Sequence, residues 1–339
     1  MTDDAARGRF DDMIALVRRG MFEETGVLLP GIRIRTLGAG YPVRAYILKV
    51  FEIPVLTRSV PRDQCLTNAP GDWWLRERDV AATAEMMGPL VLHWVDRNLS
   101  EQLDADGFHV WQDLACVILA LSWELRRHLH RFFGIQEVRA VVRQLSNAFP
   151  DLIAEVIPGR LTIGQLRDVL QCLARERVSI RDMRAVLEAL ATAPPGAEAN
   201  SLAETVRAAL RDRITYSIIR DTPEPSALLI SQEVEEVLRG AVVTDASGRK
   251  SLQLAPAMRD QFQRGLAKAL ETAPANWRIL LLAAPGIRRF LPELLEEFNI
   301  DAMVISPRDL LPTFKVNTLA VIRLETVAAA PEPPAGQEN

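Results

Sequence analysis

The chain has 339 residues, 48% of them apolar and 25% charged, so it can bury a sizeable core across two to three domains. Its formal charge of −4 offers no general attraction to nucleic acid or to an acidic membrane surface. The longest apolar run, 114–121, is far below the ~18–20 residues of a membrane span, and the acidic, polar start MTDDAARGRF lacks the pattern of a signal peptide.

Residues 8–24 place Phe10, Met13, Ile14, Val17 and Met21 on one helical face. Gly26 stops that helix and Pro30-Gly31 turns the chain. Ile32-Arg33-Ile34-Arg35 alternates apolar and basic, the period of a half-buried strand. Residues 45–50 and 53–56 predict two more strands, with Phe51-Glu52 as a tight connection. The texture then changes. Residues 61–106 hold scattered prolines, the pair Trp73-Trp74, an Ala-rich helix predicted over 80–87, a short strand at 90–92 and a helical tendency over 98–104. Residues 111–133 predict a long helix on Leu114, Val117, Ile118, Leu121, Leu125, Leu129 and Phe132, ended by Gly134.

From 135 to 219 there is almost no strand signal. Helices predicted at 136–149 and 151–156 lead to the best-specified stretch, 161–190, a helix, a tight turn and a second helix. Leu166, Val169, Leu170 and Leu173 line one face of the first helix; Ile180, Met183, Leu187 and Leu190 line the second. Thr162 with Gln165, Ser179 with Asp182, and Ser201 with Glu204 each have the spacing of a capping box, in which a side-chain oxygen satisfies a free helical N–H. The last of these opens a helix predicted through Leu202, Val206, Leu210 and Ile214.

Thr222-Pro223-Glu224-Pro225 reads as a domain boundary, because prolines pin an extended linker. Beyond it, strands at 228–230, 279–283, 303–305 and 320–324 alternate with helices at 232–238, 258–271 and 287–298, an α/β pattern. Ile279-Leu280-Leu281-Leu282-Ala283 is apolar throughout, as expected of a strand covered on both faces.

Little in the chain points to catalysis. HExxH, GxSxG, a P-loop lysine and GxGxxG are all absent from the sequence. Cys65, Cys116 and Cys172 lie far apart in apolar settings and read as buried thiols rather than a disulfide or metal set. His128 and His130, two apart, point to different sides of a helix and read as surface histidines, not as joint ligands. Gly286 and Arg288 follow a buried strand, but one glycine signals a strand–helix turn before it signals an anion site. Trp73 and Trp74 are adjacent, so in a strand one of them faces outward as a candidate partner anchor; both packing inside is the alternative. The elbow Arg175-Glu176-Arg177-Val178 and the helix after it offer Arg177, Arg181, Asp182, Arg184 and Glu188, with Arg184 and Glu188 spaced as an i, i+4 pair. That charge pattern fits a solvated face or a subunit interface equally.

The run ARERVSIRDMRAVLEALA, with LRDVLQCL before it, closely resembles the helical subdomain of the type III secretion and flagellar export-gate family, the FHIPEP family. Val169, Leu170, Gln171, Leu173, Glu176, Val178, Ile180, Arg181, Asp182, Val186, Leu187, Glu188, Ala189 and Leu190 meet its pattern. ETGVLLPGIRIR, FFGIQEV, FPDLIAEVIP, SLAETVRAALRDRI, APGIRRFLPELLEEF and VISPRDLLP resemble other family segments, so the likeness runs from about Phe10 to Leu324. The stretch 61–106 matches poorly, and Leu37-Gly38-Ala39-Gly40 lacks the family's Asn.

The resemblance implies an α+β fold of four subdomains. A first α/β unit spans 1–60 and 107–134, a small α/β subdomain is inserted at 61–106, an all-helical one spans 135–219 and a C-terminal α/β one 220–325, with a disordered tail at 326–339. It also implies a cytoplasmic, non-enzymatic platform without cofactor or metal. Such a platform self-assembles, in the family as a nonameric ring, through the helical subdomain and docks chaperone–substrate complexes or switch proteins. The family's membrane half is absent from these residues, so a stand-alone adaptor in a non-secretion complex is the alternative.

Overall fold

The computed structural model describes residues 4–324 apart from 71–81, 88–89, 195, 221–223, 247–249, 273–278, 299 and 301. Trp73, Trp74, the linker residues Thr222 and Pro223 and the tail 326–339 therefore lie outside the described residues.

Helix α1 (Asp4–Thr25) buries Phe10, Ile14 and Met21. It ends where Gly26 takes φ +78°, a conformation open to glycine without steric cost. Strands β1 (Ala45–Val50) and β2 (Ile53–Ser59) form an antiparallel hairpin whose two turn residues, Phe51 and Glu52, take φ values of 52° and 66°. Two positive φ angles match the right-handed twist of the strands. The strand expected at 32–35 does not form. Ile32 and Ile34 are half-buried and Arg33 and Arg35 exposed, so the alternation is present, but residues 30–37 make no backbone hydrogen bond among the described residues. Alternation predicts which side chains point inward; a strand also needs a partner.

Strands β3 (Gln64–Thr67), β4 (Thr83–Met87), β5 (Leu90–Asp96) and β6 (Val110–Trp111) form an antiparallel sheet in the order β4-β5-β3-β6, with the short helix α2 (Ser100–Ala105) between β5 and β6. The helix expected at 80–87 is thus corrected: its described part pairs with β5, Ala84 opposite His93. Pairing of a whole strand overrides the helix preference of Ala, Glu and Met. The long helix expected at 111–133 divides into β6, α3 (Leu114–Arg127) and a 3-10 turn at Leu129–Phe132.

Six helices follow: α4 (Ile135–Ala148), α5 (Pro150–Val156), α6 (Ile163–Arg175), α7 (Met183–Ala191), α8 (Ala199–Ala209) and α9 (Arg211–Ile219). Leu166, Val169, Leu170 and Leu173 of α6 are fully buried, each worth about 1.5–3 kcal/mol of apolar transfer. Thr162 and Gln165 form the expected capping box, with Gln165 N donating to Thr162 Oγ1 at 3.2 Å. For α7 the cap is Asp182, not Ser179: Ala185 N donates to Asp182 Oδ1 at 3.1 Å. Nor does Ser201 cap α8, which starts at Ala199, and the predicted helix through Ile214 breaks at Leu210.

The last part is a parallel sheet in the order β11 (Met303–Ile305), β10 (Leu280–Leu282), β7 (Ser226–Ile230) and β12 (Asn317–Ile322). Helices α10 (Gln232–Gly240) and α11 (Pro256–Leu270) flank a small hairpin, β8 (Val242–Thr244) with β9 (Lys250–Leu252), that the sequence pattern does not announce. The single crossover helix expected at 287–298 is two short ones, α12 (Pro285–Arg288) and α13 (Leu291–Glu297), with Pro292 in the first turn of the second. The alternation of side chains along these strands divides the core. Ala227, Leu280, Met303 and Ile305 join the main core under the helical stretch, whereas Leu228, Leu281 and Val304 pack with Phe262 and Leu266 of α11.

Candidate functional site

The elbow after α6 is a helix stop with an arginine where glycine is usual. Arg177 takes φ +60°, its N–H reaches the Ala174 carbonyl at 3.1 Å, and Val178 N–H reaches the Leu173 carbonyl at 2.9 Å. These two bonds satisfy carbonyls that the helix end leaves free. A left-handed arginine costs about 1 kcal/mol that glycine does not. Arg177→Gly is therefore expected to fold with an unfolding midpoint no lower than the parent's. A denaturant titration checks this, and a loss above ~1 kcal/mol would show that the side chain holds the elbow.

The five sequence-derived site residues separate into two groups. Arg177 is half-buried, and Asp182 is occupied within the chain: it caps α7 and sits 2.6 Å from Arg213 Nη2. Arg181 is exposed but donates to the Glu23 carbonyl at 3.1 Å, where the elbow crosses the end of α1. Arg184 and Glu188 form the expected i, i+4 pair at 2.8 Å, with side chains 62% and 51% exposed, and Arg184 stands over the Phe149 ring. Of the five, Arg184 and Glu188 are the pair whose charges meet each other on an exposed face.

A larger constellation lies beside the elbow, and sequence reasoning missed it. Arg207 of α8 and Arg288 of α12 are both 0% exposed. Glu176 Oε2 accepts from Arg207 Nη1 at 2.9 Å and from Arg288 Nη1 at 2.6 Å. Arg207 Nε donates to Asp309 Oδ1 at 2.9 Å, and Arg288 Nη2 pairs with Glu204 of α8. Arg207 Nη2 is 2.9 Å from Asp309 Oδ2 without the alignment to donate, and Arg288 Nε is 3.7 Å from that oxygen, too far for a hydrogen bond. Two guanidinium and three carboxylate groups thus join the helical stretch to the parallel sheet. Arg288, next to the strand–helix turn, is consumed by this cluster rather than by an anion.

Arg288 and Asp309 are held charged by their neighbours. Burial works against the Arg288 cation, but Glu176, Glu204 and Asp309 outweigh it and raise its pKa. Burial likewise opposes the Asp309 anion, but hydrogen bonding and charge from Arg207, with Arg288 beyond, hold its pKa below the usual value. Burial raises the Glu204 pKa, Arg288 opposes, and Glu176 adds to the rise. The two carboxyls therefore pull stability in opposite directions with pH. The Asp309 contribution is present above the ordinary carboxylate range and lost as pH falls through its lowered pKa. The Glu204 contribution is present below that range and lost as pH rises through its raised pKa.

Other candidates behave less as expected. His128 and His130 are half-buried, not surface groups: His128 Nδ1 is 3.0 Å from the Glu124 carbonyl, and burial, aided by the Arg175 charge, lowers His130 to about 4. Cys65 and Cys116 are buried and Cys172 is half-buried. No group of three or more metal-ligand side chains occurs among the described residues, and no described helix is long and apolar enough to cross a membrane.

The FHIPEP family profile matches residues 1–315. The chain belongs to the FHIPEP family. Among curated relatives of this FHIPEP chain, the flagellar biosynthesis protein FlhA of Bacillus subtilis is 27% identical over 95% of the chain and 47% of its own length. Protein MxiA of Shigella flexneri is 29% identical over 92% of the chain and 45% of its own length. The FHIPEP chain therefore spans a little under half the length of these relatives. Among solved structures, CdsV in the Chlamydia pneumoniae CdsV–CdsO complex superposes with a TM-score of 0.80 at 28% identity, covering 93% of this chain and 90% of that one. The nonameric EscV cytosolic domain from the type III secretion system shares the fold, with a TM-score of 0.73 at 20% identity over 93% and 92% of the two chains.

Proposed function

We propose that this chain is a non-enzymatic, ring-forming cytosolic platform of a type III protein export apparatus. The observation that carries the reading is the likeness to CdsV, which covers 93% of the chain at a TM-score of 0.80. The ring is proposed from the nonameric state of the EscV domain, and a docking role from the CdsV–CdsO complex. In this reading the chain divides at 1–60 with 107–134, 61–106, 135–219 and 220–325, and the helical part, 135–219, builds the ring. Arg177, Arg181, Asp182, Arg184 and Glu188 face a neighbouring copy, while Trp73 and Trp74 anchor a chaperone–substrate complex or switch protein.

Arg184 and Glu188 give the cleanest test, because their mutual pair is exposed and worth about 0.5 kcal/mol or less. Exchanging them, Arg184→Glu with Glu188→Arg, keeps the pair and reverses the field shown to a neighbour. The expected result is a loss of stability of about 1 kcal/mol or less, from the cation removed from over Phe149, and self-association weakened about tenfold or more, read by light scattering after size exclusion at several concentrations. Identical association of parent and exchanged variant would remove these charges from the interface. A parent chain that stays monomeric at the highest concentrations would count against the ring itself.

A further inference from the structure

The segment 32–36 has the side-chain pattern of a strand and, among the described residues, no strand paired with it. None of its backbone groups bonds to backbone among the described residues. Among the described residues β1 pairs along one edge, with β2, in a two-stranded sheet. Between these stretches runs a groove of about 760 Å³. Residues 32–38 and residues 45–48 of β1 both line it, and Phe10 and Ile14 of α1 with Leu114, Val117 and Leu121 of α3 supply apolar lining. Phe10, Ile14 and Leu121 belong to the main core, so this lining is continuous with the protein interior.

Rows of unpaired N–H and C=O groups are templates for an incoming strand. A strand advances about 3.3 Å per residue, lies about 4.8 Å from its neighbour and fills a layer about 10 Å thick, which is about 160 Å³ per residue. A groove of that size admits a short single strand.

We propose that this groove binds a short segment of a partner protein as an added β-strand, seated between β1 and residues 32–36. The partner segment alternates apolar and acidic residues. Its apolar side chains reach the lining from α1 and α3, and its carboxylates reach the rim. Arg33 and Arg35 are exposed there; Arg33 has no charged partner among the described residues, and Arg35 is only 3.8 Å from an equally exposed Glu52. Arg44 also lines the groove and is paired with Asp113, so the lining carries three arginines against one aspartate. Backbone bonding supplies affinity, and the alternating pattern with its charge supplies selection. The surface is separate from the charges assigned to ring assembly, so either proposal can fail alone.

The test uses the full chain and a seven-residue synthetic peptide alternating valine and glutamate, followed by hydrogen–deuterium exchange. Exchange is expected to slow about tenfold or more at residues 32–36 and 45–48 together. The same peptide N-methylated at alternate amides is expected to give no protection. Arg33→Glu with Arg35→Glu alters exposed side chains only. It is expected to leave the melting temperature unchanged, weaken the valine–glutamate peptide about tenfold and favour a valine–lysine peptide. Three results would overturn the proposal. One is no protection at millimolar peptide. Another is equal protection by the N-methylated peptide, which would make the groove an apolar pocket. The third is protection without peptide that rises with protein concentration, which would make a second copy the occupant.

Discussion

Glu176→Ala is expected to destabilise the chain by about 2–6 kcal/mol, since two buried guanidinium N–H groups lose their acceptor at about 1–3 kcal/mol each. Glu176 stands at the C-terminal end of α6, and one of its oxygens accepts from two guanidinium groups that water does not reach. With that carboxylate gone, Arg207 and Arg288 each keep another partner, Asp309 and Glu204, but lose the anion that lies between them. Arg207 Nη2 and Arg288 Nε are already without a hydrogen bond in the intact protein. Glu176→Gln keeps an acceptor oxygen without the charge and is expected to fall between the parent and the alanine variant. Denaturant unfolding checks both, with Arg184→Ala as the exposed control at about 0.5 kcal/mol or less. A loss under ~1 kcal/mol in Glu176→Ala would mean that water or a side-chain shift replaces the carboxylate at little cost.

Gly26→Ala is expected to cost about 2–5 kcal/mol, combining left-handed strain with overpacking. A Cβ there would lie 2.6 Å from the Arg181 nitrogen and 2.7 Å from its Cα, both backbone atoms that no rotamer change can move. Nor can the two segments part freely, since Ile180 N–H donates to the Thr25 carbonyl at 2.9 Å. Gly26 thus lets α1 end in direct contact with the elbow that leads into α7. Gly20→Ala is the internal control. A Cβ at Gly20 meets nothing within 4 Å, and alanine in a helix interior is expected to raise stability by about 0.5–1 kcal/mol. Opposite shifts of the two unfolding midpoints are the predicted outcome; a neutral Gly26→Ala would show that the seam between α1 and the elbow is loose.

Some of the candidate site was readable and some was not. Leu166, Val169, Leu170 and Leu173 declare their buried face by spacing, and the face is where that spacing puts it. The cap of α7 was ambiguous because Ser179 and Asp182 are both good caps, and only the helix start at Met183 selects Asp182. Glu176 looked like one charge of a solvated elbow. Glu204 looked like half of a capping box. Arg288 looked like an ordinary residue after a turn. One sign was present: Arg207 follows Leu202, Ala203 and Val206 on the face of α8 that is buried, so a charge stood inside an apolar stripe. A buried arginine requires a partner, and that requirement could have led to the cluster.

What the amino-acid order determined by itself is local. The helices of the middle stretch, the capping box at Thr162, the hairpin turn at Phe51-Glu52 and the apolar strand at Leu280–Leu282 follow from residue spacing and turn chemistry over a few positions. The export-gate motif over 161–190 is equally local, which is why it could be recognised in the sequence. Only the tertiary structure decided which charges meet and which strands pair. Glu176 and Arg288 are 112 positions apart, and Arg207 and Asp309 are 102 apart. The same limit explains residues 32–36 and 83–87. The first has a strand's alternation without a neighbour, and the second has a helix former's composition beside β5. Side-chain periodicity is a property of a segment, whereas hydrogen-bond and ion-pair partners are a property of the space around it.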